Sequence, residues 1–454
     1  MRDRALIPLR LNRQLGTGES VTFAYPTGTS MDTWIGGAFS AVAGQEALTA
    51  PLDFTLVFEE SGVQFVWKRA WPAIEGTALR IVLHSYAPPL AITATVPLAR
   101  FGFLDDGSAT DGARIRTAIE TAADDHLELL LPPPGAFADG LRLDAAADLT
   151  GKSGFKLTGT GTGAIISKRG GSFGFAEWDN VSSVVFDNVG FDSRNGEAAF
   201  VTRECSDLTF RRLNATTGRI FRLYDGTNNV LFDRCVFDNP TAAVQFGEGI
   251  GGAVPGQADV TDITLRDVEV YGSKGEAFEW ANGVRRLNFI RVRCYDCNTQ
   301  QNQEVLDVGG PAEDIYFYDL LVDNTGAFSS YTSTAVRGVF VKRANGVNPV
   351  NVWFFRPIIR MSSASADSRC LVFDQVDGGH IRGGLMTGDT ERTIGIGGGT
   401  TTLGDGLQLV GAREASIYAA GAATVRGVSR IYPEPAGGGV ATTAIGGSTI
   451  DLAA

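Results

Sequence analysis

Four acidic residues fall at a spacing that could do chemistry. Glu276 and Glu279 stand 13 and 10 residues ahead of Phe289, and Glu304 and Asp307 stand 13 and 10 ahead of Phe317. If Phe289 and Phe317 hold equivalent places in successive repeats, the four carboxyls meet on two neighbouring turns of chain. Carboxylates on adjacent β-strands lie about 5 Å apart, the separation of acid and nucleophile in retaining glycoside hydrolysis. Mutual repulsion keeps one of such a pair protonated and leaves the other ionised, the division of labour that the reaction requires. Arg222 and Gln245 share the register of Glu279 and Asp307, Arg219 stands three residues before Arg222, and Glu248 heads the Gly-rich segment 247–259. These four are the candidates for holding a substrate. Two other readings of the acids stay open: plain solvation of a charged outer face, or a Ca2+ site built from hard oxygen ligands. A lyase would instead draw its base from Lys342 or Arg343, one repeat further on.

A column of this kind needs strands stacked in register, and the sequence supplies them. The pattern hydrophobic-x-hydrophobic-x-x-hydrophobic recurs as SVVFDNVGFD (183–192), DLTFRRLNAT (207–216), NVLFDRCVFD (229–238), DITLRDVEVY (262–271) and RLNFIRVRCY (286–295). It continues as DIYFYDLLVD (314–323), NVWFFRPIIR (351–360) and GHIRGGLMTG (379–388). Aligned on Phe186, Phe210, Phe232, Leu265, Phe289, Phe317, Phe354 and Ile381, the intervals are 24, 22, 33, 24, 28, 37 and 27 residues. A minimum near 22 with variable excess fits a coil of short strands carrying inserted loops. A fixed Leu/Asn frame or a blade motif would mark other repeat folds, and neither is present. A second strand precedes each signature, as in RIFRL (219–223), EAFEW (276–280) and EVLDV (304–308). Tight turns needing positive φ follow it, as in DGTNN (225–229) and ANG (281–283). Two strands per coil and about ten coils between residues 141 and 432 are expected. Trp178 and Trp280 fall on inward positions, and Asp192, Asp238 and Asp323 read as turn formers. No aromatic-rich groove is legible, which favours a binding protein over an enzyme.

Composition bounds the function further. The chain has 454 residues, a net charge of −12 and 57 glycines. The acidic balance argues against nucleic acid or an anionic membrane as partner. An acidic glycan would require a local basic patch. The opening MRDRALIPLRLNRQLG has no continuous apolar core and does not read as a signal peptide, which suggests synthesis and folding in a bacterial cytoplasm. No stretch is apolar and long enough to insert in a membrane as a helix. Five cysteines imply no disulfide framework. Cys294 and Cys297 have no second ligand pair at zinc spacing, so ordinary reduced thiols are expected.

Ahead of the coils, alternating segments at 53–58, 63–67 and 79–85 read as a small antiparallel β-domain over residues 1–100. Residues 101–140 read as a junction. Thr110 or Asp111 would cap a helix whose apolar stripe is Ile115, Ala118, Ile119, Ala122 and Ala123, followed by a strand at Leu127–Leu131. Residues 433–454 read as a short Gly-rich tail. The fold class is therefore all-β: a parallel β-helix with a helix cap, preceded by a small antiparallel domain.

The junction resembles the cap of the pectate-lyase-like superfamily: Phe101-Gly102, Asp105-Asp106-Gly107, Thr110-Asp111, Ile115, Ala118-Ile119 and Leu131-Pro132-Pro133-Pro134-Gly135. That resemblance implies a right-handed β-helix and leaves the chemistry open, since the superfamily holds lyases, hydrolases, epimerases and inactive binders. Residues 53–85, with the corner Lys68-Arg69-Ala70-Trp71-Pro72 and the strand Leu79-Arg80-Ile81-Val82-Leu83, resemble the N-terminal attachment domain of short-tailed phage fibres and spikes. Together these imply a phage tail spike: a homotrimer in the virion tail, joined through residues 1–100 to another tail protein and acting on a bacterial surface polysaccharide. A non-enzymatic receptor-binding or adaptor protein of a tail is the alternative.

Overall fold

The computed structural model describes strands at 4–10, 20–24, 38–43, 46–48, 54–59, 62–67 and 78–84, and then residues 92–452. Within the latter it leaves out 104–108, 134–140, 162–163, 169–173, 193–198, 217, 247–258, 281–282, 300–303, 327–335, 405 and 428–430. The chain divides into two units, Met1–Leu90 and Ala91–Ala454.

The first unit holds two antiparallel sheets. Ala78–His84 lies between Arg4–Arg10 and Ala38–Ala43, with Glu46–Leu48 at the edge. Gly62–Trp67 lies between Ser20–Phe23 and Phe54–Glu59. The three alternating segments of the sequence are thus strands, and Phe65 is fully buried. The Lys68–Pro72 corner lies outside the described residues.

The second unit is an all-β parallel solenoid of about 11 turns. Each coil runs through three sheets, called I, II and III here. The sequence signature is the passage from sheet I to sheet II. Ser182–Asp187 belongs to sheet I and Val189–Asp192 to sheet II, with Asn188 at the corner between them. Alternation points Val184 and Phe186 inward; the corner consumes one residue, and Val189 and Phe191 point inward again. That extra residue is the doubled x of the pattern. The coil therefore has three strands where the sequence placed two. The preceding strand, such as Arg219–Leu223 or Glu304–Gly309, forms sheet III.

The alignment on aromatic positions holds throughout. Phe186 pairs with Phe210, Phe210 with Phe232, Phe232 with Leu265, Leu265 with Phe289, Phe289 with Phe317, Phe317 with Phe354, and Phe354 with Ile381. These side chains stack up the core, with ring centroids 5.1 Å apart for Phe210–Phe232 and 4.5 Å for Phe317–Phe354. The same column extends downward through Leu157 and Leu129 and upward through Leu403. The strand at Leu127–Leu131 was expected; the uppermost, Gly399–Gly404, carries a Thr-rich sequence in place of the aromatic signature.

The I–II corner is a single left-handed residue in coil after coil: Asn188, Arg212, Arg234, Asp267, Arg291, Asp319 and Arg356, all with φ between 49° and 57°. An Arg there costs about 1–2 kcal/mol of backbone energy. Ion pairs up the ladder offset part of it. Arg291 Nε and Nη2 donate to Asp267 at 2.6 and 2.7 Å, and Arg356 does the same to Asp319 at 2.8 and 2.9 Å. The expected turns at the other corner are also present, with positive φ at Asp225, Gly226, Asn229 and Gly283.

The variable excess in coil length falls at the other two corners, II–III and III–I. Its longest segments are 325–335, which precedes the sheet III strand Val336–Lys342 in the chain, and 247–259, which follows the sheet III strand Ala242–Phe246.

Helix α1 (Ala109–Asp124) closes the N-terminal end, with Ile115, Ala118, Ile119, Ala122 and Ala123 all buried against the first coils. It starts before the expected cap, so Asp111 lies in its first turn. There Asp111 is buried, accepts a bond from Arg114 Nη1 at 3.2 Å, and meets the positive end of the helix dipole. At the other end the ladder runs on through residues expected to form a tail. Val440–Ala444 pairs with Ala415–Ala419, and Thr449–Asp451 pairs with Thr424–Arg426. Glycines that read as tail composition are the turns of a last coil. Asp192, Asp238 and Asp323, expected in turns, are instead residues of sheet II strands.

Candidate functional site

Sheet III builds the site. Along its outer face the register runs Arg222, Gln245, Glu279, Asp307, Phe340, Val372, with each residue paired to the next. The four residues expected in one column are in one column. Three positions earlier in each strand a second column holds Arg219, Ala242, Glu304, Arg337 and Arg369. Glu276 continues it, because Phe278 pairs with Leu306 and so sets Glu276 level with Glu304.

Within the columns the acids differ. Asp307 is 15% exposed at its side chain and accepts a bond from Lys342 Nζ at 2.7 Å through Oδ2. Its Oδ1 is buried without a hydrogen-bond partner. Burial pushes its carboxyl up to about 6, although Lys342 pulls the other way and Glu304 and Glu276 push further. Glu279 is also raised, by burial first, with Arg219 and Arg222 opposing and Asp307 adding. Glu276 is raised by burial and by Glu279 and Glu304. Both Glu279 and Asp307 are therefore raised above the ordinary carboxylate range, chiefly by burial.

Glu304 lies level with Glu276, as expected, but it is 4% exposed and ion-paired to Arg337 Nη1 at 2.7 Å, a pairing that favours its ionised form. Gln245 departs from the open face on which it was placed. It is 2% exposed, and its Oε1 accepts from Arg219 Nη1 at 3.2 Å and from Tyr224 Oη at 3.4 Å. Glu248 lies outside the described residues. Among the described residues no three His, Cys, Asp or Glu side chains are arranged to hold a metal ion such as Ca2+, and Arg337 and Lys342 are ion-paired to Glu304 and Asp307.

Phe340 closes the column above Asp307. Arg337 lies over its ring at 4.1 Å from the centroid, and Lys342 at 5.1 Å. These contacts deliver the two cations to Glu304 and Asp307. The sequence reading passed over Arg337 and Phe340, although VRGVFVK repeats the register of the acids one coil on. Phe340 at an outward position was the signal. Arg343 turns away and donates to Gln375 at 2.8 Å.

Trp178 and Trp280 are core residues, as expected. All five cysteines are free and buried, as their composition implied. Outside the site, one aromatic row went unread. Tyr318, Phe355, Trp353 and His380 stack on the outer face of sheet I, with Trp353 and His380 centroids 3.9 Å apart. Core Phe317 and Phe354 alternate with them and hid them in the sequence. Their ring faces are spent on one another.

No protein-family model matches the chain, and no curated protein matches it in sequence. Solved structures do. The A-module of the mannuronan C-5 epimerase AlgE4 from Azotobacter vinelandii aligns with a TM-score of 0.51 over 78% of this chain and 99% of that one, at 15% identity. This likeness shows the right-handed β-helix fold. The catalytic unit of a GH87 α-1,3-glucanase from Streptomyces thermodiastaticus aligns over 99% of this chain and 90% of that one, with a TM-score of 0.48 and 13% identity. The adhesin PfbA of Streptococcus pneumoniae aligns over 79% and 99%, with a TM-score of 0.46 and 10% identity.

Proposed function

We propose that this chain binds a bacterial surface polysaccharide along sheet III and cleaves it by hydrolysis, serving as a phage tail spike. The observation that carries the reading is the in-register pair Glu279 and Asp307 on adjacent coils. Strands about 4.8 Å apart set their carboxyls near the separation of a retaining pair. Lys342 holds one oxygen of Asp307 and favours its ionised form, while Oδ1 is left without a partner. Asp307, ionised above about pH 6, is then the nucleophile. Burial raises Glu279 against the pull of Arg219 and Arg222, and Glu279 acts as the acid on the leaving oxygen. The β-helix of the AlgE4 module serves an enzyme that acts on mannuronan, so the fold accommodates a polysaccharide.

The tail role rests on the resemblance of residues 53–85 to an attachment domain, with residues 1–100 joining a tail protein. A homotrimer is what the resemblance to β-helical spikes implies, and light scattering of the purified chain measures it. Hydrolysis is tested with purified protein and host polysaccharide. New reducing ends should form with retained anomeric configuration, and Glu279→Gln should abolish them with the circular dichroism spectrum unchanged. A Glu279→Gln, Asp307→Asn double variant that still cleaved would remove the site assignment.

The Asp307–Lys342 and Glu304–Arg337 pairs favour a second reading, in which the column is a structural ion-pair ladder and the protein a non-enzymatic receptor binder or tail adaptor. Glycan bound at full affinity without product would establish it.

A further inference from the structure

Arginines on the ladders of this solenoid are ordinarily matched by an acid. Arg286, Arg291, Arg337 and Arg356 are each ion-paired to a carboxylate at 2.6–2.8 Å. Arg219 and Arg222 are not. Among the described residues no carboxylate is ion-paired to either. Arg219 donates to the neutral amide oxygen of Gln245, and Arg222 Nε is buried without a hydrogen-bond partner. Arg337 and Arg369 also bury Nε without a hydrogen-bond partner, but their guanidinia are ion-paired to Glu304 and Asp367; those of Arg219 and Arg222 meet no carboxylate at ion-pair distance among the described residues and so can take an anionic ligand.

Their position says where that ligand lies. Arg222 stands in the Glu279–Asp307 column, two coils below Glu279 and separated from it by Gln245. Two coils are about 10 Å along the axis, the reach of a short oligosaccharide. Gln245 is itself fixed by Arg219 and Tyr224, so the floor between the arginines and the acid pair is rigid. A polysaccharide lying parallel to the solenoid axis with its scissile bond at Glu279 and Asp307 would bring a neighbouring sugar over Arg222.

We infer that Arg219 and Arg222 form an anion subsite for a carboxylate-bearing sugar, so that the substrate is a uronate-containing polysaccharide. This deepens the polysaccharide reading above and rests on it for the direction of the chain. The planar guanidinium fork matches a carboxylate with two parallel N–H···O bonds. The two arginines also supply the local positive charge that an acidic polymer needs on a chain of net charge −12. Lys342 and Arg337 neutralise acids in the coils above, which limits repulsion at the cleavage end.

The test is a binding assay on the full chain with bacterial capsular polysaccharides, some uronate-containing and some neutral, and with each uronate polymer also after chemical reduction of its carboxyls. Binding should be confined to uronate polymers, be lost on carboxyl reduction, and weaken with added salt. Arg222→Gln should weaken it about tenfold or more with an unchanged thermal midpoint, and Arg222→Lys should recover part of the loss. Binding that survives carboxyl reduction, binding to neutral polymers only, an unaltered Arg222→Gln affinity, or binding to none of these polymers would overturn the subsite. Cleavage is read separately from reducing ends. Uronate-dependent binding without product keeps the subsite and refutes hydrolysis.

Discussion

Replacing Asp307 with Asn should stabilise the protein at neutral pH and leave it unchanged in acid. The carboxyl is raised from its ordinary 3.8 to about 6, chiefly by burial. For an acid raised on folding, the native state binds the extra proton. Its contribution to stability is complete below pH 3.8 and is lost as pH rises through about 6. A shift of about 2 units at 1.36 kcal/mol each amounts to about 3 kcal/mol of native-state cost at pH 7. Asparagine keeps the shape and escapes that cost. Lys342, whose side chain is 31% exposed, can take water in place of the lost partner. Thermal unfolding of both proteins should be followed by circular dichroism between pH 4 and pH 7.5. The midpoint of the variant should nearly coincide with that of the wild type near pH 4 and exceed it by a few degrees at neutral pH, the gap opening between about pH 4 and 6 and staying level above that. A gap that stays constant with pH, or a variant that loses ground as pH rises, would refute the reasoning. Either result would mean that the bond from Lys342 outweighs burial.

Three further outcomes follow from the same geometry. Lys342→Met removes the cation that favours ionised Asp307, so the rising acidic limb of the pH–activity profile should move to higher pH, while Lys342→Arg should move it less. Arg337→Ala leaves Glu304 buried and unpaired, and denaturant unfolding should show a loss of about 3–5 kcal/mol; replacing both by apolar residues of similar size should recover most of it. Phe317→Ala opens a hole in the aromatic stack between Phe289 and Phe354, with an expected loss of about 3–5 kcal/mol measured the same way and cleavage retained in folded material.

The repeat was legible in the sequence because a solenoid imposes one rule on every coil. Inward positions must be apolar and stack, so Phe186, Phe210, Phe232, Phe289, Phe317 and Phe354 recur at readable spacing. Since the period of a strand is two, fixing those residues also fixes which neighbours point outward. The column from Arg222 to Asp307 follows from that alone. What the sequence could not supply is what each outward side chain meets across the coils. Glu304 and Glu279 are the same type of residue on neighbouring strands, yet one is held by Arg337 and the other by no cation among the described residues. That difference depends on which way Arg337 and Lys342 lean over Phe340. Gln245 looked open and is covered, because Arg219 and Tyr224 close on it from the strand below. The last coil was hidden for the opposite reason: its glycines and small residues carry no apolar pattern, and only pairing with the coil beneath orders them into strands. Local periodicity determined the fold and the register, while the pairing of charges was decided by side-chain reach between coils, which only the tertiary structure sets.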